Sequence, residues 1–306
     1  TLTDAMNGMR PAASGNVLIN GLDLYRHLNS LKQYIGYVPQ DDVIHRELTV
    51  YKTLYYVAKL RLSRDVSSKE IKQILDEVLD VTGLAERRNV PVSQLSGGQR
   101  KRVSIAVELI TKPSVLFLDE PTSGLDPATE EKIMRLFRQI AESGRTVILT
   151  THAMENVRLF DKVVILVAGK LAFYGPPADA LTFFGVKNFT ELYTKLESST
   201  EQSAAASPAE TRRIAEERAE SLKQRFLAAP QYDELIGRPL SEIGNLPPAT
   251  RQKKRRLGIF GSISQWSTLS RRYFRVLLRD KLTLFILLAQ APAIALMTFL
   301  VVDNAR

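Results

Sequence analysis

The sequence predicts an α/β domain, then a charged segment, then a helix long enough to cross a membrane. Three observations support this prediction. Short β-rich runs alternate with helical periods and Gly/Pro turns up to about residue 187, whereas Ser, Ala and charged residues dominate after about residue 198. Finally, 21 consecutive residues without a charge occupy Leu282–Val302. The 306 residues are enough for about two domains of ~100–200 residues each.

The composition narrows the classes of function. Hydrophobic residues make up 44% and charged residues 25% of the chain, as in ordinary folded proteins. There is no cysteine, which excludes disulfides, thiol catalysis and cysteine-ligated zinc, and three histidines are too few for a histidine-rich metal site. The net charge of +9 predicts an acidic partner, which could be nucleic acid, a phosphate ligand or an anionic membrane face.

The first zone, residues 1–187, contains the predicted sheet. Ser114–Pro121 includes an almost continuous apolar run, which is typical of a strand buried on both faces of a parallel sheet. Lys162–Val167 and Lys170–Tyr174 flank Ala168-Gly169 and predict a hairpin. The other predicted strands are Val17–Ile19, Ile35–Val38, Val115–Asp119 and Thr146–Thr150.

Residues 188–258 are predicted to be a linker, partly helical and partly disordered. Ser199–Ala209 is rich in Ser, Ala and Glu, and Thr211–Phe226 is a charged helical stretch with few apolar anchors. The basic run Arg251–Arg256 either binds anionic lipid or is a solvated charge cluster.

The last zone predicts a membrane span at residues 282–302. At ~1.5 Å per residue it is about 31 Å long, close to the thickness of the hydrocarbon core, and membrane helices tolerate an internal proline such as Pro292. The basic residues before it place its N-terminal side in the cytoplasm. The alternative is a buried core helix. Residues 259–281 predict an amphipathic connecting helix, because apolar residues recur at helical spacing opposite arginines: Trp266, Leu269, Tyr273, Val276 and Leu277.

The chemistry of the first zone centres on Asp119 and Glu120. They follow an apolar strand, and α/β folds bind ligands at the carboxyl ends of their strands. Asp119 is expected to hold Mg²⁺, which prefers a carboxylate together with phosphate oxygens and water. Glu120 is expected to polarise the water that attacks a γ-phosphate. Taken alone, the pair could equally be a solvated acidic turn.

Four further features follow the same logic. Ser96, Gly97, Gly98 and Gln99 open a helix that is predicted to run through Arg100–Thr111, where backbone N–H groups can face an anion. A serine N-cap before loop glycines is the alternative. The turn Ser123–Asp126 follows the acidic pair, His152 follows a strand, and Gln40 follows another and could reach Mg²⁺ or the attacking water. Singly, His152 and Gln40 would be structural or exposed residues.

Together, in this order, these features resemble the ATP-binding cassette family over residues 1–187. Gln40 is similar to its Q-loop, Leu95–Gln99 to its signature and Val115–Glu120 to its Walker B strand, while the D-loop and switch histidine correspond to Ser123–Asp126 and His152. The sequences GQRKRVSIAVELI and LDEPTSGLDPAT most resemble those of subfamily G exporters, in which the cassette precedes the membrane domain. The resemblance implies a RecA-like P-loop NTPase fold with a helical subdomain, joined to an ABC-2 type membrane domain.

The resemblance also implies a mechanism that uses ATP and Mg²⁺. Two cassettes would enclose ATP head to tail, with Ser96, Gly97 and Gly98 acting on the nucleotide of the partner. His152 would bind the γ-phosphate, and Asp126 would communicate across the dimer. Gln40 would couple nucleotide state to the membrane domain through Asp41–Val50.

One family motif is missing, because no G-x-x-x-x-G-K-[ST] sequence occurs in the chain. By this resemblance Thr1 directly follows the P-loop, which places Thr1 among the nucleotide-binding residues, and residues 1–6 form the next helix. We therefore expect a fragment of a longer exporter that is inactive by itself; a degenerate cassette without a P-loop is the alternative.

The resemblance implies a half-transporter of the cell membrane with its cassette in the cytoplasm. Its expected partners are a second half-transporter, membrane lipid and an unidentified transported substrate, but no nucleic acid. Homodimerisation is the simpler expectation, and a heterodimer stays open. Two rivals remain: a soluble cassette ATPase, opposed by the apolar span, and a non-enzymatic membrane module, opposed by intact Glu120 and His152.

Overall fold

The computed structural model describes residues 2–63, 65–201, 208–243 and 259–303. The α/β prediction is confirmed within these ranges. Their strands are β1 (Leu18–Ile19), β2 (Leu22–Asp23), β3 (Ile35–Val38), β4 (Val115–Leu118), β5 (Thr146–Leu149), β6 (Val163–Val167) and β7 (Lys170–Gly175). Thr1 and the basic run at 251–256 lie outside the described residues.

Helices account for most of the remaining described residues. The α-helices are α1 (Leu2–Met6), α2 (Leu24–Leu31), α3 (Val50–Arg61), α4 (Ser68–Val81), α5 (Gly97–Leu109), α6 (Pro127–Glu142), α7 (Pro177–Phe184), α8 (Phe189–Glu201), α9 (Pro208–Leu227), α10 (Pro230–Tyr232), α11 (Arg238–Ile243), α12 (Ile259–Arg279) and α13 (Lys281–Asp303). Short 3-10 segments occupy Ala85–Arg87, Val92–Gln94 and Met154–Leu159, and a π-helical turn occupies Asp233–Gly237.

The chain divides into two compact units. The first comprises residues 1–31, 122–144 and 150–252, and the second comprises residues 32–121, 145–149 and 253–306.

The second unit contains a parallel sheet in the order β3-β4-β5. Its central strand β4 is flanked on both sides, so Leu116, Phe117 and Leu118 are almost fully buried, as the apolar run predicts. The predicted β3 agrees residue for residue, and β4 and β5 each end one residue earlier than predicted. Helix α4 begins with a capping box between Ser67 and Glu70 and packs on α3 and α5.

The first unit is built around the hairpin β6-β7. Its turn residues, Ala168 and Gly169, have φ of +45° and +76°, as a tight turn between antiparallel strands requires. Phe173 on β7 is fully buried and packs on Phe183, Phe184 and Phe226. These rings form the centre of a second hydrophobic core.

The segment that we predicted as a linker is more ordered than its composition suggests. Residues 189–201, 208–227 and 230–243 are helical, and α9 packs along β7. The apolar residues of α9 are few, as expected, but their spacing places them on one face of the helix. Ala219 and Phe226 are seven residues apart and at most 1% exposed. Leu222, on the same helix, also packs against this core, and charged residues occupy many of the other positions of α9.

Helices α12 and α13 end the second unit. Helix α12 packs on α3, and α13 continues through Pro292 without a break. Among the described residues, one stretch is long and apolar enough to cross a membrane: residues 281–298, with a mean hydropathy of 1.6 and no buried residue. Trp266 and Tyr273 on α12 are 70% and 68% exposed, which fits the predicted amphipathic face.

Candidate functional site

Two parallel strands bring the candidate carboxylates and amide to one sheet edge. Val38 pairs with Leu118, so β3 and β4 end side by side. The backbone N–H of Asp119 donates to the carbonyl of Val38 at 3.0 Å, which extends the contact one residue beyond the strand. Asp119 and Glu120 are both half-buried there, as the sequence predicts for a ligand site at the carboxyl end of the sheet.

Gln40 and Glu120 meet at this edge although they are 80 positions apart in the sequence. The Gln40 side-chain Nε2 donates a hydrogen bond to Glu120 Oε2 at 3.1 Å. The Gln40 amide oxygen keeps its own acceptor capacity. The pair therefore combines a proton acceptor with a neutral oxygen ligand.

The backbone of Glu120 lies in the left-handed region, with φ of +40°. Residues other than glycine rarely adopt this conformation, and holding one there costs of order 1–3 kcal/mol. Such strain occurs preferentially at active sites and ligand clamps. At Glu120 it coincides with the carboxylate that the sequence assigns to water activation.

The turn at Ser96 begins α5 with a reciprocal capping box. Ser96 Oγ accepts from the Gln99 backbone N–H at 3.3 Å, and Gln99 Oε1 accepts from the Ser96 N–H at 3.1 Å. The serine is therefore an N-cap, as the simpler reading of this sequence predicted. This geometry leaves the backbone N–H groups of Gly97 and Gly98 in a first helical turn, where no carbonyl of the same helix can accept them.

Asp126 and His152 lie in the first unit, whereas the other described candidate residues lie in the second. Asp126 is the N-cap of α6 and accepts from the Thr129 backbone N–H at 3.0 Å. Hydrogen bonds from the side chain and backbone of Thr129 lower the pKa of Asp126 below its usual value. This exposed carboxylate is therefore ionised at neutral pH.

His152 follows β5 by three residues and is exposed. Its ring contacts Tyr193 edge to face, with 6.5 Å between ring centroids. Tyr193 belongs to α8, inside the segment that we predicted as a linker, so no pattern in the sequence connects the two rings.

Two residues near Gln40, Lys101 and Asp42, were not predicted from the sequence. Lys101 contacts the backbone of Gln40 and the side chain of Asp42. Lys101 Nζ lies 2.7 Å from the Gln40 carbonyl oxygen and 3.3 Å from Asp42 Oδ1. The run Arg100-Lys101-Arg102 resembles a solvated basic cluster. Nothing in this run of three basic residues singles out the middle one.

The donor set at the sheet edge fits Mg²⁺. Carboxylate and amide oxygens, here from Asp119 and Gln40, are hard ligands of the kind that Mg²⁺ selects. Within the described ranges, no three His, Asp or Glu side chains are grouped to enclose a metal. Mg²⁺ is usually bound by one or two carboxylates, with phosphate oxygens and water completing the shell, so the two findings agree.

Comparison with known families matches residues 1–123 to the ABC transporter domain. An ABC transporter ATP-binding/permease protein of Mycobacterium tuberculosis is 40% identical over 195 residues, covering 63% of this chain and 22% of that protein. The broad substrate specificity ATP-binding cassette transporter ABCG2 of Bos taurus is 42% identical over 183 residues, covering 58% of this chain and 28% of its own length. The chain thus spans about a quarter of these relatives.

Among solved structures, CbiO1 of Clostridium perfringens, part of an ABC transporter complex, aligns with a TM-score of 0.54 and 28% identity. The alignment covers 70% of this chain and 81% of that protein. The likeness supports the α/β cassette architecture.

Proposed function

We propose that this chain is the ATP-hydrolysing half of an exporter, because it is similar to the ABC transporter domain over residues 1–123 and to ABC transporters that include ABCG2. ATP binding and hydrolysis in a dimer of cassettes would drive transport of a substrate across the cell membrane. The observation that carries this proposal is the contact between Gln40 and Glu120 at the end of the parallel sheet.

Glu120 is the proposed general base. Its carboxylate accepts a proton from the water that attacks the γ-phosphate, and the Gln40 amide holds the carboxylate in place. Asp119 would hold Mg²⁺, which would supply positive charge next to the phosphates. The strained backbone of Glu120 supports this assignment, because the fold maintains an unfavourable conformation at the residue that carries the carboxylate.

The signature turn and His152 are proposed to bind phosphate. Backbone N–H groups of Gly97 and Gly98, with the Ser96 hydroxyl, face the nucleotide of the partner subunit, where fixed donors stabilise transferred charge without reorganising. His152 contacts the γ-phosphate, and its exposed ring is accessible for that role. Asp126 acts at the dimer interface. A homodimer is the simplest assembly, because signature and general base occur together in this one chain.

Contacts at α12 support a connection between Gln40 and the membrane. Arg279 Nη1, at the end of α12, donates to the carbonyl of Glu47 at 2.9 Å, within the segment that follows Gln40. The Arg275 guanidinium lies 5.6 Å from the centroid of the Tyr56 ring on α3. Burial, and then Arg279 and Arg275, lower the pKa of Lys52, as expected where the basic face of α12 lies along α3.

Localisation in the cell membrane, with the cassette in the cytoplasm, is supported by α13. Its large apolar side chains face outward; Leu282, Phe285 and Met297 are each about 70% exposed. A surface of this kind needs lipid or protein cover. Because the 306 residues contain no P-loop motif, we expect them to be inactive without the rest of the protein.

The test is ATP hydrolysis by the full-length protein in lipid vesicles. Glu120→Gln removes the proton acceptor and is expected to lower kcat by about 10²–10⁴-fold, the usual contribution of a general base. Glu131→Gln is the matched control, since Glu131 is half-exposed on α6 and forms its ion pair with Arg135. Undiminished hydrolysis in Glu120→Gln would exclude Glu120 as the base.

A further inference from the structure

The most unusual charged residue of the second unit is Lys101 on α5. Its side chain is only 7% exposed, although lysine is almost never buried without partners. Burying an ammonium group is costly unless each of its donors is satisfied. The partners of Lys101 therefore indicate what the fold gains from burying it.

All the described partners of Lys101 lie in the segment after β3. Nζ donates to the carbonyl oxygens of Gln40 at 2.7 Å and Pro39 at 3.3 Å, and lies 3.3 Å from Asp42 Oδ1. An ammonium group has three donors, and these are three acceptors. Lys101 therefore fixes both the backbone at Gln40 and the carboxylate two residues later.

The same helix holds Asp42 a second time. Ser104, one turn after Lys101, donates its hydroxyl to Asp42 Oδ1 at 2.7 Å. Residues three apart share a helix face, so α5 presents a paired cation and hydroxyl to a single carboxylate. The Asp42 side chain is 19% exposed, which limits the competition from water.

The direction of the Gln40 side chain depends on the contact between Lys101 and the Gln40 backbone. Its side chain is exposed, so packing does not set its direction, yet it reaches Glu120 Oε2 at 3.1 Å. With little packing around the amide, the position of the backbone decides whether the amide meets the carboxylate. The Lys101 contact acts on that backbone at the Gln40 carbonyl.

We propose that Lys101 and Asp42 are positioning residues for ATP hydrolysis, which hold Gln40 against Glu120. This inference rests on the proposed function, because it assigns Glu120 as the general base. Lys101 and Asp42 act through the backbone of Gln40, which Lys101 contacts directly. Their loss therefore lowers the rate of the chemical step and leaves nucleotide binding intact.

The two neighbouring arginines, Arg100 and Arg102, do not make the contacts with Gln40 that Lys101 makes. Arg100 Nη1 donates to the Leu95 carbonyl at 2.7 Å, within its own helix start. Arg102 is half-buried on another face of α5, near Gly83. Arg102→Met thus removes a positive charge from the same helix without altering the contacts of Gln40, which makes it a matched control.

The test measures ATP hydrolysis by the full-length protein in lipid vesicles. Lys101→Met is expected to lower kcat by about tenfold or more, the effect of losing a charge-assisted hydrogen bond, with KM for ATP unchanged within about twofold. Arg102→Met is expected to retain the kcat of the wild type. Asp42→Asn tests the same contact should Lys101→Met not fold, because its amide oxygen still accepts from Ser104.

A second comparison separates positioning from general weakening of the fold. In a Gln40→Ala background, adding Lys101→Met or Asp42→Asn should lower kcat no further, since the residue through which they act is already absent. Multiplicative losses would overturn the inference, as would wild-type kcat in both single variants. The Glu120→Gln variant separates failure of the proposed function from failure of this inference. If Glu120→Gln keeps full activity, the proposed function is wrong. If Glu120→Gln is inactive while Lys101→Met and Asp42→Asn have the kcat of the wild type, only this inference is wrong.

Discussion

The ion pair between Arg61 and Glu108 should stabilise the second unit. Arg61, the last residue of α3, contacts both oxygens of Glu108 on α5, at 2.8 and 2.9 Å. The Glu108 side chain is 12% exposed, and its other described donor is the Tyr37 backbone N–H at 3.4 Å on β3. The substitution Arg61→Met would leave this carboxylate buried with one long hydrogen bond.

The expected cost follows from the burial of the two partners. Removing one member of a fully buried pair costs about 3–5 kcal/mol. The Arg61 side chain is 42% exposed, so water screens part of the attraction. We therefore expect Arg61→Met to lower the free energy of unfolding by about 2–3 kcal/mol, or roughly 5–10 °C in Tm for a unit of this size.

Thermal unfolding of the detergent-solubilised full-length protein measures this cost. Lys112→Met is the control, because it breaks an ion pair with Glu77 at 2.9 Å in which both side chains are about half exposed. Such a pair contributes under about 1 kcal/mol. The double variant Arg61→Met, Glu108→Gln should recover part of the loss, since no unpaired charge remains buried. A loss in Arg61→Met no larger than in Lys112→Met would refute the reasoning.

Two further predictions concern the first unit. Phe226→Ala should lower the free energy of unfolding of this unit by about 3–5 kcal/mol, because Phe226 is 1% exposed in the aromatic core. Leu227→Ala should cost much less, because Leu227 is 37% exposed. Equal losses of stability in thermal unfolding would contradict the packing of α9. Hydrogen bonds from Lys170 lower the pKa of Glu220 from 4.5 to about 2, so this contact stabilises fully above about pH 4.5 and is lost as the pH falls towards 2. The Tm advantage of the wild type over Glu220→Gln should hold from pH 7 to 5 and shrink below pH 4.5; an advantage independent of pH would contradict this.

The strands could be predicted because each is a short apolar run in the sequence. The candidate site residues at the strand ends could be predicted because they directly follow those runs. The run that becomes β4 is apolar without interruption, as a central parallel strand must be, and Asp119-Glu120 directly follows it. The reciprocal bonds of Ser96 and Gln99 are likewise a local feature of four residues. Such signals need no knowledge of the tertiary structure.

The contacts that hold the site could not be predicted, because they join residues distant in the sequence. Lys101 and Asp42 are separated by 59 positions, and a lysine between two arginines gives no sign of burial. Arg61 and Glu108 are 47 positions apart. The helix at α9 was predicted, but its packing on the hairpin was not, because its core-facing residues are few and their effect depends on the strands that they cover.

The central claim is that Glu120 serves hydrolysis and not nucleotide binding. The most direct measurement is the nucleotide retained by full-length Glu120→Gln after incubation with Mg²⁺ and ATP, with the oligomeric state determined on the same sample. Our account predicts a stable dimer that retains ATP, unhydrolysed, in each cassette. Recovery of ADP alone, or monomers without nucleotide, would contradict it.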